Sequence, residues 1–221
     1  MDDPPSPPLI ISIRTTAKGR QRLLTLSDGR EFFFSDEAVE RVGIVEGAPA
    51  DSDVFEALEA AEQRVTAHEA ALRLLSHRAR SEREMRTRLA MRGIEPQAID
   101  DEMQRLRLAG LLDDEKFARA WVEDRKQSAP RGRRMLRYEL LGRGIDPEAV
   151  DSVTNDLDDR ATAIELARRR SRATSATDYD AFVARVGGFL RRRGFDYEVT
   201  AEATRIAWRE VSSAAEPGTE P

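Results

Sequence analysis

Apolar residues recur along most of this chain at steps of three and four, the spacing that lines one face of an α-helix. Val54, Leu58, Ala61, Val65, His68, Leu72 and Leu75 make the first stripe, predicting one long helix. Shorter stripes follow at Met85 and Leu89; at Ile99, Met103 and Leu106; and at Phe117 and Trp121. The series continues with Leu136 and Leu140; Val150, Val153 and Leu157; Ala163, Ile164 and Ala167; Phe182, Val186 and Leu190; and Val199, Ala203, Ile206 and Val211. The N-terminal stretch differs. Leu9–Ile13, Leu23–Leu26 and Glu31–Phe34 read as three short strands, turned at Lys18-Gly19 and Asp28-Gly29. So small a sheet needs a cover for its apolar face, from the segment that follows or from the long helix. Ser35–Arg41 reads as a short helix stopped by Gly43, and residues 47–51 as a linker.

Punctuation divides the helical part into like units. Asp53 with Glu56, and Ser81 with Glu84, have the spacing of a capping box. Asp113 or Asp114 caps the next helix, Asp158-Asp159 a later one, and Pro96 and Pro147 suit first helical turns. Three segments share one grammar: Leu89-Ala90-Met91-Arg92-Gly93-Ile94, Leu140-Leu141-Gly142-Arg143-Gly144-Ile145 and Leu190-Arg191-Arg192-Arg193-Gly194-Phe195. Each is followed by an acidic residue, Glu95, Asp146 or Asp196. Gly93, Gly144 and Gly194 lie about 50 residues apart, a period of tandem helical repeats.

These patterns predict a mainly α protein, an elongated array of three tandem three-helix repeats preceded by a small N-terminal antiparallel β segment. Residues 1–8 form a disordered tail and 9–50 a β-meander with a short helix. The long helix and first repeat occupy 53–110, the second repeat 111–158 and the third 159–211, with a loose tail over 212–221. In the third repeat a loop at about 174–180 precedes a helix weakened by Gly187-Gly188, at about 1 kcal/mol per glycine. Arrays of this kind bury small cores and display a long outer surface, which favours binding over catalysis.

Composition narrows the chemistry. There is no cysteine, which excludes disulfides, thiolate metal sites and cysteine nucleophiles. No apolar run approaches the roughly 20 residues of a membrane span, and Met1–Pro8 has no signal-peptide character. A soluble, cytoplasmic, monomeric protein without cofactor or metal is expected. His68 and His77 read as incidental, Phe117 and Trp121 as core, and no catalytic constellation is present.

Charge is high and uneven. Residues 1–69 carry 7 basic against 14 acidic side chains, 70–159 carry 18 of each, and 160–221 carry 11 against 9. Arginine outnumbers lysine 33 to 3 and gathers on the middle helix of each unit. Arg125, Lys126, Arg131, Arg133, Arg134 and Arg137 stand out, because only Glu139 opposes them between 125 and 143. Arg78 and Arg86 belong to a similar run, and Arg168-Arg169-Arg170 and Arg191-Arg192-Arg193 mark the third unit. Guanidinium forks suit carboxylates and phosphates, so a continuous strip of them would dock an anionic partner. Pro130 and Gly132 open a helix among these arginines, which oppose its dipole; an external anion at that helix start would resolve the conflict.

Several segments stand out together: Gly110-Leu111-Leu112-Asp113-Asp114-Glu115-Lys116-Phe117-Ala118, continuing through Val122 to Arg125, then Gly132-Arg133-Arg134, Leu136, Leu140 and Gly144-Ile145. Upstream lie Ala71-Leu72, Leu75, Arg78, Ser81-Glu82, Leu89 and Gly93. In order and spacing these segments resemble the RecX family, the upstream set its first repeat. The resemblance implies curved tandem three-helix repeats and a non-enzymatic regulator of the recombinase RecA, bound in the groove of the RecA–DNA filament and restraining ATP hydrolysis and strand exchange in recombination, DNA repair and the SOS response. It also implies single- or double-stranded DNA as a further partner. The alternative reading is a helix-turn-helix-like module acting directly on nucleic acid, with a scaffold of unrelated purpose as a third. The contact residues expected are Arg125, Lys126, Arg131, Arg133, Arg134 and Arg137, then Arg78 and Arg86, with Gly93, Gly144 and Gly194 structural.

Overall fold

The computed structural model describes residues 6–17, 19–174 and 178–215. The expectations for residues 1–5, for Lys18 in the first turn, for 175–177 of the long loop and for 216–221 of the tail lie outside the described residues. The chain divides after Leu112 into two compact units.

In the first unit, strands β1 (Ile10–Thr15), β2 (Gln21–Leu26) and β3 (Glu31–Ser35) form an antiparallel meander in sequence order. Ile13 lies opposite Leu24, and Leu24 opposite Phe32. At the second turn the Asp28 carboxylate accepts the Arg30 N–H at 3.1 Å. Helix α1 (Asp36–Val42) starts where the Ser35 hydroxyl accepts the Ala38 N–H, and Gly43 ends it. Both expected covers are used. Val39 of α1 and Leu58 of α2 (Ser52–Leu75) share one core with Leu24, Leu26 and Phe34. Two local expectations change. Residues 47–51 are pinned rather than a bare linker: Ile10 donates to the Ala48 carbonyl at 2.9 Å, Gly47 donates to Ile10 at 2.8 Å, and Ala50 is buried. This pairing occupies the start of the outer edge of β1, at Ile10, which would otherwise present unmet backbone groups. The cap of α2 is Asp51, accepting the Val54 N–H at 2.9 Å, and not Asp53.

Helix α2 also departs from a single apolar face. Leu58, with Val54 and Phe55, packs in the sheet's core, whereas Ala67, Ala70, Ala71 and Leu74 belong to the core of the first repeat. At about 100° per residue the two sets point to nearly opposite sides of the helix. Leu72 continues the sheet-facing stripe and is 40% exposed. One regular stripe read from sequence is therefore two half-stripes serving two cores.

Helices α3 (Glu82–Ala90) and α4 (Pro96–Leu108) complete the first repeat around Met85, Leu89, Ile99, Met103 and Leu106. In the second unit, α5 (Asp114–Ser128), α6 (Arg133–Gly142) and α7 (Pro147–Thr154) enclose Phe117, Val122, Leu136, Leu140 and Val150. Helices α8 (Asp159–Ser171), α9 (Tyr179–Phe182), α10 (Gly188–Arg192) and α11 (Tyr197–Ala215) enclose a separate core at Ala163, Phe182, Leu190, Phe195 and Ala203. The fold is mainly helical, with three repeats of helices, each with its own core, after a three-stranded sheet. Helix α11 continues through 212–215, part of the segment expected to be loose.

The shared grammar has one structural meaning. Gly93, Gly144 and Gly194 adopt left-handed φ of 77°, 79° and 89°. The next N–H in each case, that of Ile94, Ile145 or Phe195, bonds back to the carbonyl of the leucine five residues earlier, at 3.4, 3.2 and 3.4 Å. This backbone pattern reverses the chain at a helix end, where glycine carries no Cβ penalty. The leucine and the apolar residue after the glycine are both buried in every copy. The third repeat carries an irregularity. Between α9 and α10 the helix makes a π-turn, Val183–Gly187, and Gly187 at its end and Gly188 after it are buried.

Candidate functional site

In the second unit the expected basic cluster is organised around an acid. The Glu139 carboxylate, its side chain 12% exposed, accepts the Trp121 indole N–H at 2.8 Å and the Arg125 Nε at 3.2 Å, and pairs with Arg131 at 2.5 Å. The Trp121 ring lies between two guanidiniums, Arg125 at 4.1 Å and Arg143 at 3.7 Å from its centre. This arrangement spends Arg125 and Arg131 on internal bracing of α5, α6 and the break between them. Arg137 pairs with Asp151 of α7. Lys126 makes a loose contact of 3.6 Å with Glu123 and stays exposed. Arg134 is exposed and, among the described residues, has no hydrogen bond or ion pair.

The start of α6 corrects the expectation of an external anion there. The Arg133 N–H donates to both Asp159 carboxylate oxygens, at 2.9 and 3.0 Å. The Arg133 guanidinium also donates to the Leu157 carbonyl at 3.0 Å. The anion at this helix N-terminus is thus a side chain of the same chain, placed where the dipole favours negative charge. Burial pushes the Asp159 carboxyl above the usual aspartate range, against the pull of Arg133, and Asp196 and Asp158 add to the rise. Asp158 caps α8 itself, accepting the Ala161 N–H at 2.8 Å.

The second and third repeats meet backbone to backbone. The Gly132 N–H donates to the Arg193 carbonyl at 2.9 Å, and Arg193 returns a side-chain bond to the Pro130 carbonyl at 3.0 Å. A Cβ on Gly132 would lie 2.6 Å from the Gly194 carbonyl oxygen; one on Gly194 would lie 2.6 Å from the Met135 nitrogen. Only glycine fits at either position without moving main chain.

In the first unit, Arg78 donates to Glu84 at 3.0 and 2.5 Å, and Arg86 bonds Glu82 at 2.9 Å and also pairs with Asp100. Burial works to raise the Glu82 and Glu84 carboxyls, but the hydrogen bonds and charges of Arg107 with Arg86, and of Arg78 with Arg80, prevail and hold both below the usual range. Sequence reasoning passed over His68. Its Nδ1 lies 3.0 Å from Glu102, a carboxylate 4% exposed at the inner face of α4. The apolar stripe marked His68 as inward-facing, but its partner is 34 residues away, beyond any local pattern. His77 is exposed. Among the described residues, no group of three or more His, Asp or Glu is placed to hold a metal ion, and no helix is long and apolar enough to cross a membrane.

Comparison with known proteins assigns the architecture. Three family models match in order: RecX, first three-helix domain, over 67–106; the second over 113–153; and the third over 158–204. Regulatory protein RecX of Mycolicibacterium vanbaalenii is 36% identical over 157 residues, covering 67% of this chain and 85% of that protein. The chain belongs to the RecX family. Regulatory protein RecX of Mycolicibacterium smegmatis is 35% identical over 165 residues, covering 70% and 88% of the two chains. Two solved structures share the fold at 20% identity. One is a regulatory protein RecX, with a TM-score of 0.71 over 90% of this chain and 99% of that one; the other is RecX from Lactobacillus salivarius, with 0.61 over 67% and 99%. RecX membership supports a regulatory role, and the relatives carry the name of a regulator rather than of an enzyme.

Proposed function

We propose that this RecX-family chain is a cytoplasmic, non-enzymatic regulator of RecA. It docks as a monomer in the groove of the RecA–DNA filament and restrains ATP hydrolysis and strand exchange. The observation that carries this reading is the ordered run of three RecX domain matches, over 67–106, 113–153 and 158–204, seated on three helical repeats with separate cores. Within the basic set, Arg134 and Lys126 are the direct contacts, because their charge is least spent on internal carboxylates. Arg125, Arg131, Arg133 and Arg137, and Arg78 and Arg86 in the first unit, shape the surface from within their ion pairs and hydrogen bonds.

The test is RecA's ATPase on single-stranded DNA with and without the full chain, across a salt series. Inhibition should weaken when Arg134→Glu and Lys126→Glu are combined, while helicity stays unchanged. A full chain that leaves RecA turnover untouched would overturn the reading. Inhibition that survives the double reversal would remove these two side chains from it.

A further inference from the structure

Among the described residues of the second unit, three cavities can be compared by the charge of their linings. Two are mixed. One, of about 380 Å³, sets Lys126, Arg131 and Arg169 against Asp156, Asp158 and Glu165. Another, of about 430 Å³, sets Arg133, Arg134 and Arg160 against Asp158, Asp159 and Asp196. The remaining one, of about 300 Å³, is lined by Arg169, Arg170 and Arg193 with Phe189, Leu166 and the Gln127–Pro130 stretch. Among the described residues no Asp or Glu lines it.

Arg169 and Arg170 are exposed and Arg193 is partly buried, and all three guanidiniums have weak or neutral partners. Arg193 lies 4.6 Å from the centre of the Phe189 ring and Arg170 lies 5.5 Å from it. The Arg193 side chain also donates to the Pro130 carbonyl at 3.0 Å. Arg169 has one distant acid, Glu165, at 3.9 Å on an exposed surface, a contact of small value. Burial, then the nearby charges of Arg131 and Arg169, push the Arg193 guanidinium below its ordinary range. Like charges gathered in one recess oppose folding unless an opposite charge joins them. Elsewhere in this unit Glu139, Asp151 and Asp159 supply that charge from within the chain.

We propose that the recess between the α5–α6 break, α8 and α10 is a binding site for a small polyphosphate anion, of the class of pyrophosphate or a nucleotide's phosphate chain. Its volume stands at the lower end of small-molecule sites, about 300–1,000 Å³. Planar forks pair two-by-two with phosphate oxygens. Three of them exceed what one carboxylate neutralises and match an anion of several charges. The ring and the carbonyl hold two of the forks in position before the ligand arrives, which lowers the ordering cost of binding. This proposal goes beyond the regulation of RecA and does not depend on it.

The test is calorimetric titration of the full chain with pyrophosphate at constant ionic strength, with sulfate as the comparison anion. Pyrophosphate should bind at one site and raise the melting temperature, and sulfate should bind far more weakly. Arg169→Ala and Arg170→Ala should each weaken binding by about tenfold or more. Arg172→Ala, at an exposed neighbour that does not line the recess, should change nothing. Without ligand, Arg169→Gln should melt no lower than the parent chain, because it relieves repulsion. Equal binding of sulfate and pyrophosphate, an equal loss in Arg172→Ala, or a lowered melting point in ligand-free Arg169→Gln would each overturn the proposal. So would a short DNA strand that binds through Arg169 and Arg170 while pyrophosphate does not, since that result makes the recess part of a strand surface.

Discussion

The first and third repeats use the same turn for different ends. Both run from a buried leucine through an arginine and a left-handed glycine to a buried apolar residue. Around Gly93 there is open space, and Arg92 before it is exposed. Around Gly194 there is the main chain of α6, and Arg193 before it is stacked on Phe189 and bonded to Pro130. In the first repeat Arg78, before the middle helix, and Arg86, on it, are matched by Glu84, Glu82 and Asp100. In the third repeat Arg169, Arg170 and Arg193 line a recess with no acid among the described residues. A repeated motif thus specifies a backbone reversal, while its neighbours decide whether that reversal is a free corner or part of a joint.

The comparison breaks most sharply at the two glycines. Gly194→Ala combines a left-handed alanine with a Cβ 2.4 Å from that of Met135, and should cost about 3–4 kcal/mol or more. Gly93→Ala meets the left-handed cost alone, about 1–2 kcal/mol. Urea unfolding of the full-length variants checks the gap; equal losses would show that the joint at Gly194 yields without strain.

Next in size are the arginines. Arg80, its side chain 10% exposed, pairs with Glu84 and donates to the Leu74 carbonyl at 3.2 Å. Arg80→Ala should lower stability by about 2 kcal/mol, against no loss for Arg169→Ala, as read by shifts in the urea midpoint.

Acid should separate the units by sign. Glu82 and Glu84 are held low when folded, so their contribution is complete above the unfolded value of about 4.3 and is lost as pH falls through their folded values. Asp159 is pushed high. The folded state therefore holds its proton more tightly, and stability from this group declines as pH rises from about 3.9 through its folded value. Glu82→Gln should flatten the fall in stability between about pH 5 and 3, and Asp159→Asn should steepen it. Urea midpoints taken along that range give the measurement.

The smallest effect concerns the π-turn. Gly188 has helical φ of −59°, and a Cβ there would meet only the flexible end of Arg192, at 3.3 Å. Gly188→Ala should stabilise the third repeat by about 0.5–1 kcal/mol. A loss instead would show that the turn needs glycine's freedom.

Much of the architecture was legible because its signals are local. A cap such as Ser81 acts three residues away, and each repeat turn closes within six, so sequence spacing reports them directly. The face of α2 was misread past Ala61 because a stripe of period 3.6 records which residues are apolar and not which core receives them. The basic cluster was legible as composition and opaque as chemistry. Arg125 and Glu139 are 14 residues apart, Arg133 and Asp159 are 26 apart, and Arg193 and Pro130 are 63 apart.

Taken alone, the chain's pattern determined three helical repeats behind a small sheet, the glycine corners between their helices, and the family to which they conform. Tertiary structure alone decided which guanidiniums are spent on internal carboxylates, which carboxylate caps α6, and why Gly194 admits no side chain. The reason is range: turns and caps are set by contacts a few residues long, whereas charge pairing and close backbone approach arise only when distant segments are packed together.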